Sequence, residues 1–138
     1  MKKLILFISI CILIFFYNYF THKSVEKNSH YILLSSDKVN KVKLSDTLLI
    51  AESTCRGCEF EHSTRFDVTD SMDLIKLIRI ETTDNNPDNM DGGSIAKDLI
   101  LIPVKTGNTI IKQYRFYGEE INKDDSSKYK SYNIQVIK

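Results

Sequence analysis

The sequence has no surplus of charge of either sign: 19 Lys and Arg stand against 18 Asp and Glu in 138 residues. Phosphate binding needs a clustered cationic surface, so nucleic acid is not expected as a partner. Without the first 23 residues, whose charged side chains are Lys2, Lys3 and Lys23, the formal charge is −2. Histidine is equally scarce. Of His22, His30 and His62, the first two fall in a polar stretch, so no Ser-His-Asp or Cys-His constellation can be assembled. The chain is not expected to be an enzyme, and no cofactor or metal is implied. The three cysteines are Cys11, Cys55 and Cys58, with no second pair at the spacing that structural zinc needs. No internal repeat is found, and the length excludes a multidomain enzyme.

What is present begins with an address. Residues 1–20 (MKKLILFISICILIFFYNYF) place two lysines before an apolar run, the pattern of a signal peptide or signal anchor. No small-x-small cleavage site follows the run. Residues 4–20 reach the lower limit of the roughly 17 to 25 residues needed to span a bilayer, so an uncleaved anchor is preferred. Ile10 before Cys11 argues against lipid processing there. Everything after residue 20 is then expected to be extracytoplasmic, secreted or anchored. Residues 21–30 are polar and aperiodic and read as a tether, leaving 31–138 as one domain.

That domain reads as all-β. Short β-branched and aromatic runs alternate with Asn, Asp, Gly and Ser clusters, and about seven strands point to an immunoglobulin-like β-sandwich. Strands are expected at 31–35, 39–44, 47–51 and around 60–68. In the last run Tyr132, Ile134 and Val136 should share one face. Residues 98–104 (DLILIPV) are apolar on both faces except at their start, as in a central strand, with Pro103 near its end. The Gly107-Asn108 dipeptide suggests that 96–104 and 109–117 form a hairpin. Residues 72–80 (MDLIKLIRI) fit helix or strand. Strand is preferred, with Met72, Leu74, Ile78 and Ile80 on one face.

Cys55-Arg56-Gly57-Cys58 is the strongest local signal. Outside the cytoplasm two nearby cysteines form a disulfide by default. A redox pair is the first alternative, but the flanks are strand-like and acidic rather than a helix N-terminus. Zinc on Cys55, Cys58 and His62 is the second. Residues 84–94 (DNNPDNMDGGS) read as a loop that fails the EF-hand test, since Asn89 and Ile95 stand where Gly and Glu are required. Arg115, Phe116 and Tyr117 end an apolar run with two aromatics beside a cation, a composition suited to a binding anchor, unless Phe116 completes the core.

These loops, in this order, resemble the chagasin family of papain-type cysteine protease inhibitors, over about residues 39–138. The resemblance is carried by Gly92-Gly93, by Val104-Lys105-Thr106-Gly107-Asn108-Thr109, by Tyr114-Arg115, and by Tyr132-Asn133-Ile134-Gln135-Val136. Ser45-Asp46-Thr47-Leu48-Leu49-Ile50 resembles the family's opening strand. The family's Asn-Pro-Thr-Thr-Gly loop is represented by Ser53-Thr54-Cys55-Arg56-Gly57-Cys58, which keeps the glycine. Phe116 stands where the family has Pro, and Tyr117 where it has a large aromatic. The resemblance implies an immunoglobulin-like sandwich that binds a papain-type protease through three loops, using Thr54, Arg56, Gly57, Asp91, Gly92, Gly93, Arg115, Phe116 and Tyr117. The alternative is a non-inhibitory binding module of the cell envelope, holding another envelope protein, with the membrane reached through residues 4–20 if they are uncleaved.

Overall fold

The computed structural model describes residues 30–84, 92–117 and 129–138. The signal segment expected at 1–20, and the tether at 21–30 apart from the exposed His30, lie outside them. Eight strands are described: β1 (Tyr31–Leu33), β2 (Asn40–Lys43), β3 (Thr47–Cys55), β4 (Thr64–Asp70), β5 (Ile75–Thr83), β6 (Ser94–Pro103), β7 (Gly107–Tyr117) and β8 (Tyr129–Ile137). They form two four-stranded sheets, ordered β1-β3-β6-β5 and β2-β8-β7-β4. The edge strands β1 and β2 pair in parallel with β3 and β8, and the other pairings are antiparallel. The chain is an all-β sandwich, with eight strands among the described residues where the sequence suggests about seven.

Period-two alternation builds the core. Leu48 and Ile50 of β3 and Leu99 and Leu101 of β6 face Val42, Ile111, Tyr132, Ile134 and Val136 of the other sheet, all of them buried. Tyr132, Ile134 and Val136 therefore share a face as expected. Strand β6 is central, between β3 and β5, and Ile100 on its other face is buried too.

Two expectations are corrected. Residues 96–104 and 109–117 do not form a hairpin, because β6 pairs with β3 and β5 while β7 pairs with β4 and β8. The link between them crosses from one sheet to the other, tied by the Val104 amide to the Leu74 carbonyl at 2.7 Å. Gly107 opens β7 there with φ of 146°, and a Cβ on it would lie 2.9 Å from a Leu74 methyl carbon. Within 72–80, strand wins over helix, yet the expected apolar face does not form. Met72 and Leu74 belong to a turn, and a register shift between Leu77 and Arg79 leaves Ile78 exposed.

That turn is organised by Asp70. Its carboxylate accepts the amides of Met72 (2.9 Å), Leu74 (2.6 Å) and Ile75 (2.7 Å) and the Thr109 hydroxyl. Burial pushes the Asp70 pKa up, but these hydrogen bonds to the charged form outweigh it and hold the value below the usual 3.8.

Candidate functional site

The register sets which loops meet. Cys55 pairs with Ser94 in one sheet, and Thr64 pairs with Tyr117 in the other. The β3–β4 link, the β5–β6 link and the end of β7 therefore share one end of the sandwich. The Val104–Gly107 crossing and the Asp70 turn occupy the opposite end.

Contacts join the described parts of these segments. The Arg56 amide donates to the Gly93 carbonyl at 3.0 Å, and the Arg56 guanidinium pairs with Asp84. Phe60 meets the Tyr117 ring edge-on at 5.4 Å. Between the sheets lies a groove of about 350 Å³, lined by Ser53, Thr54, Cys55, Thr64, Gly93, Ser94, Arg115 and Tyr117. The Thr54 hydroxyl on its wall is buried and has no hydrogen-bond partner among the described residues.

The first loop is closed by a Cys55–Cys58 disulfide with a Cα–Cα distance of 5.9 Å, so neither sulfur is a free zinc ligand. Gly57, at φ of 70°, lets the chain turn back within the bridge, a conformation that side-chain-bearing residues rarely adopt. Its amide donates to the Glu61 carboxylate, the Glu61 amide donates to the Cys58 carbonyl, and the Thr64 amide and hydroxyl both donate to the Phe60 carbonyl. The loop is thus held by hydrogen bonds as well as by the bridge.

The sequence-derived residues other than Phe116 divide into three groups. Gly57, Gly93 and Tyr117 lie at the common end, and Tyr117 is 56% exposed. Gly92 lies there as well, its amide 3.8 Å from where a Gly57 Cβ would be. Thr54, Arg56 and Arg115 lie there too, but Thr54 is buried and both arginines are engaged within the molecule. Arg56 is folded onto Asp84 with its side chain 17% exposed. Arg115 donates to the Glu52 carboxylate at 2.7 Å and to the Ser53 carbonyl at 2.6 Å, and its guanidinium lies 5.1 Å from the Phe66 ring centre. Asp91 is outside the described residues.

Phe116 is a correction. Arg115, Phe116 and Tyr117 are the last residues of β7 rather than a loop, so alternation turns Phe116 away from its neighbours. It is buried, 3% exposed, on the outer face of its sheet and stacked on Tyr114 at 5.7 Å. It therefore neither joins the groove nor completes the inter-sheet core.

Two residues are gained. Phe60, which the sequence places near a strand start, sits instead in the first loop, 47% exposed against Tyr117. Glu52, which the sequence shows only as an acidic flank of the cysteines, bridges the sheets. Its side chain is 5% exposed, and it accepts Arg115 and, at 2.6 Å, Lys130. The alternation of Leu48 and Ile50, continued by two residues, places Glu52 on the inner face, and that signal was available in the sequence. Burial first, and the Glu52 charge second, push the Tyr132 hydroxyl pKa above its usual 10.0. Beside the groove, Glu52, Arg115 and Lys130 therefore form a fixed charged cluster between the two sheets.

No protein-family model and no curated protein sequence matches the chain. Among solved structures, it is similar to the cysteine protease inhibitor EhICP2 from Entamoeba histolytica, at 18% identity and a TM-score of 0.51. That match covers 78% of this chain and 94% of that one. It is also similar to amebosin, at 12% identity and a TM-score of 0.56, over 78% of this chain and 98% of that one. At these identities the likeness establishes the fold, and the chain has the chagasin-like sandwich that its sequence motifs imply.

Proposed function

We propose that this chain is a proteinaceous inhibitor of papain-type cysteine proteases that presents the loop-bearing end of its sandwich to the protease cleft. The observation that carries the reading is the meeting of the disulfide loop, Gly92-Gly93 and the Phe60–Tyr117 pair at one end of a fold shared with a cysteine protease inhibitor. Such inhibition needs shape fit and burial around a few anchors. Phe60 and Tyr117 are the anchors here, because Arg56 and Arg115 are bound internally. Burying each aromatic contributes about 1.5 to 3 kcal/mol. Arg115 acts from beneath, positioning the Ser53 carbonyl at the groove wall. The full chain, purified in mild detergent, is titrated against papain. Inhibition at or below micromolar concentration is expected, and none at that concentration would sink the reading.

The internal engagement of both arginines also supports a second reading, a non-inhibitory module that holds another envelope protein. Capture of a partner other than a protease from the producing cell's envelope, lost in the Phe60→Ala, Tyr117→Ala variant, distinguishes it. The Lys2-Lys3 start and the apolar run after it support an extracytoplasmic location. Digestion of the domain by protease added to intact cells tests that location.

A further inference from the structure

The Cys55–Cys58 bridge sits where a partner would meet it. Cys55 is exposed and lines the groove, while Cys58 lies on the turn beyond it. A papain-type protease attacks with a thiolate, the species that also opens disulfides. We propose that the bridge is a covalent trap: the catalytic thiolate of a bound protease attacks Cys55 Sγ and is held as a mixed disulfide. The proposal rests on the inhibitor reading above.

The step balances without any outside oxidant or reductant. A bond forms between the protease sulfur and Cys55 Sγ, and the Cys55–Cys58 bond breaks. The electron pair leaves on Cys58 Sγ, which takes up a proton from water according to pH. One disulfide is exchanged for another.

The structure favours Cys55 as the sulfur attacked. It is the last residue of β3 and is held in register opposite Ser94, so its position does not depend on the bridge. The turn after it keeps its own ties when the bridge opens: Arg56 to Gly93 and Asp84, Gly57 to Glu61, Glu61 to Cys58, and Thr64 to Phe60. Opening the bridge therefore frees Cys58 Sγ without moving the attacked residue out of the groove. Cys58 stays three residues away and can attack Cys55 in return, so the trap is reversible and Cys58 sets its lifetime.

Papain is activated with reductant, freed of it by gel filtration, mixed with the full chain in detergent, and quenched over hours with N-ethylmaleimide. The expected result is a 1:1 adduct on a non-reducing gel that dissolves in excess dithiothreitol. Peptide mass spectrometry should join the papain catalytic cysteine to Cys55 and find maleimide on Cys58. Papain alkylated beforehand, and the Cys55→Ser, Cys58→Ser variant, should give no adduct. Inhibition without adduct, equal in the double-serine variant, overturns the trap and leaves the inhibitor reading standing. Neither inhibition nor adduct overturns both. An adduct mapped to Cys11 overturns the trap.

Discussion

The inter-sheet carboxylate gives a sharp test of how this sandwich end is held. Glu52 is buried, but each of its two cations reaches water: the Arg115 side chain is 34% exposed and that of Lys130 is 59% exposed. Removing one cation leaves the carboxylate paired with the other. Lys130→Ala should therefore cost about 0.5 to 1 kcal/mol, as an exposed partner does. Arg115→Ala also loses the Ser53 bond and the cation–π contact with Phe66, and should cost about 1 to 2 kcal/mol. The double variant strands a buried charge, which costs about 3 to 5 kcal/mol. At the middle of these ranges the singles sum to about 2 kcal/mol against about 4 for the double, a shortfall of about 2 kcal/mol, within the range expected of residues that share a partner. Urea denaturation at pH 7 followed by circular dichroism measures all three, with equal slopes confirming a common denatured state. Adding Glu52→Gln to the double variant removes the stranded charge and should restore at least about 1 kcal/mol. Additivity within about 0.5 kcal/mol, or no restoration by Gln, would refute the claim that Glu52 is a buried charge shared between two cations.

Gly107→Ala meets Leu74 at 2.9 Å from a backbone conformation that alanine rarely adopts, and should lower stability by about 1 to 3 kcal/mol, read from the urea midpoint. Asp70 has a folded pKa below its unfolded value, so its contribution is complete above about pH 4 and is lost as pH falls through the folded value. Asp70→Asn should be less stable at pH 7 and lose less on acidification, and parallel acid-melting curves would contradict this. Tyr132 has the opposite sign: its pKa is raised, so the native state holds its proton more tightly, and that stability is present at neutral pH and lost above about pH 10. Tyr132→Phe should flatten the alkaline fall in melting temperature, and an unchanged fall would place the cause elsewhere. Phe60→Ala and Tyr117→Ala should each weaken papain inhibition at least tenfold while lowering stability by no more than the lost ring contact, about 0.5 to 1.5 kcal/mol, and unchanged inhibition would move the contact surface off this pair. The Cys55→Ser, Cys58→Ser variant should lose only about 0 to 2 kcal/mol, because a four-residue cycle removes little entropy from the unfolded chain, and a variant that unfolds would show that the bridge supports the core.

Local chemistry made the strands legible. Tyr132, Ile134 and Val136 alternate, residues 99–104 are apolar throughout, and each property reflects how many faces of a pleated strand are buried. The same repeat already implied that Glu52 lies on the inner face with Leu48 and Ile50, and that Phe116 points away from Arg115 and Tyr117. The turn glycines Gly57 and Gly107 were legible as well, since glycine marks backbone that other residues reach only with strain.

What no local pattern contained was the partner of each strand. The Gly107-Asn108 pair suggests a hairpin as readily as a crossing between sheets, because a turn dipeptide fixes a change of direction and says nothing about which neighbour supplies the next hydrogen bonds. Only the paired sheets brought Arg115 from β7 and Lys130 from β8 to Glu52, across 63 and 78 positions, and so engaged within the molecule an arginine that the sequence offers as a binding anchor. The same pairing set Phe60 against Tyr117 and closed the groove beside Cys55. The sequence by itself thus determined most of the strands and, outside residues 72–80, which side of them faces in, because those depend on neighbours two positions away. The tertiary structure alone decided which loops meet and which charges remain free, because those depend on contacts between segments that the chain brings together only when the two sheets close.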